Sequence, residues 1–422
     1  MTPLRFLTAF ISVSALGLSI SSAEWTQWRG PDRAGRSAEK NLLKEWPADG
    51  PPLVWQCEGL GKGFSSISIA AGRIYTMGEK QGSQWLICLD AKNHTEIWAT
   101  KVGDGGDSPN GTPTIDDGMV YAVDRHGNVL CAEIPTGKEI WRANFGKDFG
   151  GQMMSGWGYS ESPLIDGKKV ILTPGGKEAL MVALDKKTGK VIWKTKSPDL
   201  GDKGQEGAGY TGAVISNGAG VKQYVNLLGR AVVGVSAETG ELLWHYNKMI
   251  NGTANIPTPL VSGDFVFAST GYGAGAALLK LKKSGSKGVE AEEVYFLESG
   301  TFQNHHGGMV MSGDVIYSGN GHNNGFPICL NWKTGKIVWG EERHSAGRES
   351  AAVLLVDGNL IYRYQNGVCA LVEASTKGYK ERGSFKEKVP GGPAWAHPVV
   401  DGGLLYLRQD DALMCYDLRA KK

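Results

Sequence analysis

Cysteine is scarce in this chain: six residues in 422, with no two adjacent. That excludes a disulfide-dense small scaffold, which would crowd many cysteines into a short chain. Beyond the first twenty or so residues, no stretch reaches the about 18 consecutive apolar residues of a membrane-spanning helix. Charge of one sign is missing too. A formal net charge of +2 leaves no basic face, so nucleic acid is not an expected partner. No proline-rich, serine-rich or charged block marks a linker after residue 23. A phosphate-binding glycine loop, a nucleophile elbow and an HExxH pair are also absent.

What is present begins with an export signal. Arg5 precedes an apolar run at 6–20, and Ser21-Ser22-Ala23 offers small residues for cleavage after Ala23. No cysteine follows at that point, so a lipid anchor is not expected. The expected location is periplasmic or secreted. The expected organisation is a signal peptide at 1–23, a lead-in at 24–52 and one domain at 53–422.

The 61 glycines demand many turns, and one phrase repeats around them. Its clearest copy runs from Ala183 through Asp185, Thr188, Gly189 and Lys190 to Trp193. Further copies run from Cys131 to Trp141, Gly234 to Trp244 and Cys329 to Trp339, with a looser one from Cys88 to Trp98. In all five a small residue precedes tryptophan by ten positions. The tryptophans recur at about 43 to 52 residues, apart from one double gap holding a degenerate copy near Phe296. A period of this length marks a propeller or solenoid. Each unit divides into four short β-branched, alternating segments, such as 112–115, 119–123, 129–133 and 139–143, with tight glycine turns between them. Four-stranded units repeated around an axis make a β-propeller. Outer strands ending near Trp55, Trp98, Trp141, Trp193, Trp244, Phe296, Trp339 and Phe385 give eight blades. The fold expected is therefore all-β, an eight-bladed propeller. Its last three strands pair with strand 53–57 to close the ring and remove a sheet edge. Each outer tryptophan is expected to pack over the small residue of a neighbouring blade.

This pattern resembles the tryptophan-docking repeat of the quinoprotein (PQQ-like) dehydrogenases and their non-enzymatic relatives, among them the propeller subunit of outer-membrane protein assembly. The opening Trp25-Thr-Gln-Trp28-Arg-Gly-Pro31 is similar to the start of secreted bacterial proteins with this repeat. The resemblance implies a fold; an activity does not follow from it. The dehydrogenases carry a vicinal disulfide and hold pyrroloquinoline quinone with calcium. This chain has no adjacent cysteines, so that cofactor pair lacks support, and no Glu–Asn–Asp calcium set is identifiable. Five cysteines (Cys88, Cys131, Cys329, Cys369, Cys415) fall on third strands of different blades and read as buried thiols.

Function is expected on the face carrying the loops from each outer strand to the next inner strand, together with the loops between second and third strands. These are longer and richer in reactive side chains than the stereotyped turns opposite. Six of the eight histidines map there. His305, His306 and His322 suit a general base or metal site, or else structural hydrogen bonding. Arg348 and Glu349 suit carboxylate binding and acid–base work, or an internal ion pair. Glu161 is either a carboxyl with a raised pKa or a partner for backbone donors. Trp157, Tyr159, Tyr210, Tyr272 and Trp395 suit stacking on a sugar or a planar quinone, or simple filling of the channel. Arg230, Asn255, Asn323, Asn324 and His397 complete the expected ligand-binding set. Asp104 to Asn110 reads as a calcium loop or, more simply, a glycine-rich turn, since the EF-hand spacing is incomplete. The ligand expected is small, polar and carbohydrate-like, with catalysis left open. Alternatives are a quinone-dependent alcohol dehydrogenase or a periplasmic scaffold binding a protein partner on this face; in each case a monomer is expected.

Overall fold

The computed structural model describes residues 24–285, 288–389 and 391–420. The expected export signal lies outside the described residues.

Eight antiparallel sheets surround one axis. Along the chain they occupy residues 68–104, 114–144, 164–194, 214–246, 260–297, 309–339, 351–386 and 399–417. The last is completed by strand Leu53–Cys57, which pairs antiparallel with Ala412–Asp417 and closes the ring as the sequence implies. Among the described residues the only α-helix is the single turn Phe145–Phe149.

The ten-residue spacing has a direct structural cause. On the third strand of every blade a small residue lies opposite an aromatic residue on the fourth. Cys88 faces Trp98, Cys131 faces Trp141, Ala183 faces Trp193 and Gly234 faces Trp244. Ala277 faces Phe296, Cys329 faces Trp339, Cys369 faces Phe385 and Cys415 faces Trp55. A register shift accompanies each pair, the bulge that re-aims a side chain. This corrects the sequence expectation, because the small residue belongs to the same blade as its tryptophan. What the ring covers next door is the Thr-Gly turn. A Cβ on Gly137, Gly189 or Gly240 would stand 2.6, 2.8 or 2.6 Å from Trp98, Trp141 or Trp193 of the preceding blade. The indole N–H of Trp98 donates to Ile134 O (3.0 Å) and that of Trp141 to Lys186 O (2.9 Å). Those glycines also hold φ near +70°, a conformation that side-chain-bearing residues avoid. At the closure Trp55 stacks on His94, with ring centroids 3.9 Å apart.

Five cysteines are buried and Cys57 is half-buried, all as free thiols. Burial raises the thiol pKa of Cys88 to about 11 and of Cys131 to about 12. A thiol reagent applied to the native protein should therefore titrate Cys57 at most, and all six cysteines only after denaturation.

Residues 24–37 run against the propeller's inner strands, with Trp25, Arg29 and Arg33 buried and Asp32 and Arg36 exposed, which the sequence did not reveal. The Ile69 N–H donates to Trp25 O, the Ile115 N–H to Thr26 O and the Leu355 N–H to Gly35 O. Arg36–Ser37 adds a fifth, parallel strand inside blade seven. The segment thus runs across the axis from the inner strands of blades one and two to that of blade seven. Its continuation hydrogen-bonds along blades seven and eight (Leu42 N–H to Asp357, Trp46 N–H to Arg382 O) before entering the outer strand of blade eight.

Candidate functional site

On the loop-rich face lies a cavity of about 420 Å³, within the size range of small-molecule sites. Trp28 and Arg29 of the N-terminal segment line it from within. Its walls come from seven blade-to-blade loops: Phe64, Asn110, Trp157, Tyr210, Ala254 with residues 256–258, His305-His306, and Trp395 with His397. Arg125 and Tyr272 reach in from second-to-third-strand loops. Aromatic rings predominate. Trp395 sits 4.7 Å from Phe64, 6.3 Å from Trp157 and 5.3 Å from His306, centroid to centroid, and its indole N–H donates to Gln365 Oε1 (2.7 Å). Trp157 remains 52% exposed, leaving its face open to solvent at the mouth.

Of the sixteen residues selected from sequence, seven line this cavity: Trp157, Tyr210, Tyr272, His305, His306, Trp395 and His397. His322 and Asn323 stand just behind them. Ser350 Oγ donates to Asn323 Oδ1 (2.9 Å) and so accepts from His305 Nδ1 (2.7 Å). That leaves His305 Nε2 to accept the Tyr272 hydroxyl at 3.0 Å, a tautomer assigned by the network. The Tyr272 N–H in turn donates to His322 Nδ1 (3.2 Å), and the His305 and His322 rings lie 4.3 Å apart. Tyr272 and His322 both hold left-handed backbone, φ 57° and 55°. Such conformations cost on the order of 1–3 kcal/mol and persist only where surroundings enforce them. The relay presents one oriented phenol to the cavity.

The other selected residues are placed elsewhere. Tyr159 turns inward, its ring 4.8 Å from Phe145 and its hydroxyl donating to Pro174 O. Glu161 is buried beneath the wall and accepts from Thr173 N and Oγ1, both at 2.7 Å. Burial raises its carboxyl to about 7 against the pull of those bonds and of Arg33. Asn255 is fully buried, and its amide ties the loop to Leu228 O and Gly229 O. Arg230 pairs with Glu206 at 3.0 Å. Asn324 lines a separate depression with Gln303 and Arg343. Arg348 and Glu349 are exposed and outside the cavity; Ser350, one residue further on, is the inward-facing member of that loop. Arg29, Trp28, Arg125, Thr211 and Thr258 join the lining; Trp28 and Arg29 belong to the opening Trp25–Pro31 motif, which pointed to the family and not to the cavity, while Arg125 and Thr258 had no sequence signal, because no repeat position marks them.

Burial holds three histidines neutral. His305, His306 and His397 are lowered to about 3, mainly by burial, with the Arg29 charge adding to the effect on His397 and the mutual repulsion that protonation would bring adding to it on His305 and His306. His306 faces His305 (4.5 Å), Trp395 and, through its carbonyl, His397 Nε2. An unfolded histidine takes up its proton near pH 6.5. Stability linked to His306 is thus complete above that pH and is lost as pH falls toward 3, by about 1.4 kcal/mol per pH unit. His306→Gln should flatten the fall in denaturation midpoint between pH 6.5 and 4.5, followed by urea titration.

Comparison with known proteins places this architecture. The family model described as outer membrane protein assembly factor BamB matches residues 82–341. The chain belongs to this family. BamB of Shewanella oneidensis is 24% identical over 305 residues, covering 68% of this chain and 70% of that protein. BamB of Salmonella typhimurium is 30% identical over 143 residues, 32% of this chain, and the match spans only 35% of that protein's length. Among solved structures, BamB from Moraxella catarrhalis superposes with a TM-score of 0.60 at 14% identity, over 88% of this chain and 98% of that one. Quinohemoprotein alcohol dehydrogenase from Comamonas testosteroni gives 0.61 at 11% identity, over 95% and 81%. Both structural likenesses establish the PQQ-like propeller fold.

The resemblance of the repeat sequence to the quinoprotein dehydrogenases implies a quinone with calcium, and the residues here do not fit that pair. Asp107 is the one carboxylate lining the cavity, and it lies 3.6 Å from Arg125. Among the described residues no group of three or more His, Cys, Asp or Glu could hold a metal ion. Calcium needs six to eight oxygen ligands, usually with several carboxylates.

Proposed function

We propose that this protein is exported and binds a small polar, carbohydrate-like ligand in the axial cavity. The observation that carries the reading is the cavity itself: rings from seven separate segments converge there, with two hydrogen-bonded phenols, Tyr272 and Tyr210, and few charges. Sugars are recognised by this combination, in which aromatic faces cover C–H surfaces and fixed polar groups orient hydroxyls. The Tyr272–His305–Ser350–Asn323 chain supplies such a fixed group. Catalysis is not part of this reading, since neutral histidines lowered to about 3 are weak bases at neutral pH.

A thermal-shift screen of the whole chain against mono- and disaccharides, and against pyrroloquinoline quinone with calcium, tests it. A sugar should raise the melting temperature, and Tyr210→Ala or His305→Ala should remove that rise. A shift with quinone and calcium alone would instead support the dehydrogenase reading. The family match favours a second reading, a scaffold for a protein partner of the kind its name implies. That reading predicts binding that survives His305→Ala and fails when exposed rim loops are changed.

A further inference from the structure

The cavity is roofed by aromatic rings but floored by a cation. Arg29 is 3% exposed, and its guanidinium lies directly under the floor at Gly308, where a Cβ would come within 2.9 Å of Nη1 and 3.4 Å of the His397 ring. Its protein partners are backbone carbonyls, Met309 O and Ala34 O, both through Nη2. Nε and Nη1 have no hydrogen-bond partner. The carboxylate that acts on it most, Asp32, is at the protein surface and bridges to Arg36. A second buried guanidinium, Arg33, stands nearby on Ser162 O and Pro163 O. At the rim Arg125 has Asp107 for a partner, so the lining carries one uncompensated positive charge, that of Arg29.

A buried cation held only by carbonyl dipoles is costly unless a counter-charge arrives. Burial lowers Arg29 and Arg33 to about 10, and the Arg29 charge adds to the burial that lowers His397, so these groups feel that cation without offsetting it. We infer that the ligand is an acidic sugar, whose carboxylate or sulfate lies over Gly308 and neutralises Arg29 while its ring packs against Trp395 and Trp157. Gly308 is required there because any side chain would separate the anion from the guanidinium. This inference rests on the sugar-binding reading and adds the sign of the ligand's charge.

Calorimetric titration of the full chain with glucuronate, glucuronamide, glucose and glucose 6-sulfate at low salt tests it. Glucuronate or glucose 6-sulfate should bind at least about tenfold tighter than glucose, a gap of about 1.4 kcal/mol, and raised salt should narrow that gap. Whichever anion binds tighter identifies carboxylate or sulfate as the source. Arg29→Met should abolish the preference and Arg29→Lys should keep it. The glucuronate–glucuronamide comparison needs no variant, so it stands even if Arg29→Met fails to fold. Equal affinity for charged and neutral sugars overturns the inference and leaves the pocket reading intact. Absence of binding by all four overturns both.

Discussion

Arg363→Met is expected to lower the stability of the folded chain by about 3–5 kcal/mol. Arg363 and Glu387 form an ion pair with side chains 0% and 1% exposed, and the guanidinium meets both carboxylate oxygens at 2.7 and 2.8 Å. Removing the cation would leave Glu387 buried with only the Cys369 thiol, 3.9 Å away, as a side-chain partner, which is far more costly than removing both charges. The double variant Arg363→Met/Glu387→Leu should therefore recover most of the loss. Arg363 also donates to Ala396 O at 2.5 Å, between Trp395 and His397. The variant should accordingly loosen the cavity wall as well as the blade. Urea unfolding of the two single variants and the double variant provides the cycle. A loss under about 1 kcal/mol for the single variant would place the pair among marginal surface bridges and contradict its burial.

The second large effect concerns Trp395. Trp395→Ala should weaken sugar binding by about 30-fold or more, the loss of about 2 kcal/mol expected of a central aromatic anchor. Phe64, Trp157 and His306 all pack around this ring, so its removal opens the wall to water in addition to deleting a contact. Trp395→Phe keeps the apolar face but loses the bond to Gln365, and should fall between the two. Titration calorimetry with the tightest-binding sugar reads all three.

The propeller was legible because its signal is a geometric identity repeated in each blade. In five blades a small residue and a tryptophan ten positions later face each other across a tight turn and a bulge, so the spacing survives even where Cys, Ala and Gly interchange, and it widens only in the fifth and seventh blades. The degenerate fifth blade kept the pair as Ala277 and Phe296, which is why counting outer strands still gave eight. The site was half legible. Loop membership brings a residue to the right face, but whether it points inward changes within a few positions. Trp157 is open to the cavity mouth, whereas Tyr159 and Glu161, two and four residues on, are buried behind it. Likewise Arg348 and Glu349 stay outside, and Ser350 completes the His305 relay. The floor was illegible. Trp28 and Arg29 reach the axis through backbone bonds from residues 24–37 to inner strands far along the chain, and no periodicity in the segment announces them.

The central claim is that chain-distant loops and the N-terminal segment enclose one ligand site. Hydrogen–deuterium exchange with and without saturating sugar tests it most directly. Protection should be confined to peptides carrying Trp28-Arg29, Trp157, Tyr210, residues 254–258, Tyr272, His305-His306 and Trp395–His397, with the opposite turns unchanged. Protection restricted to outer strands or to a single loop would contradict it.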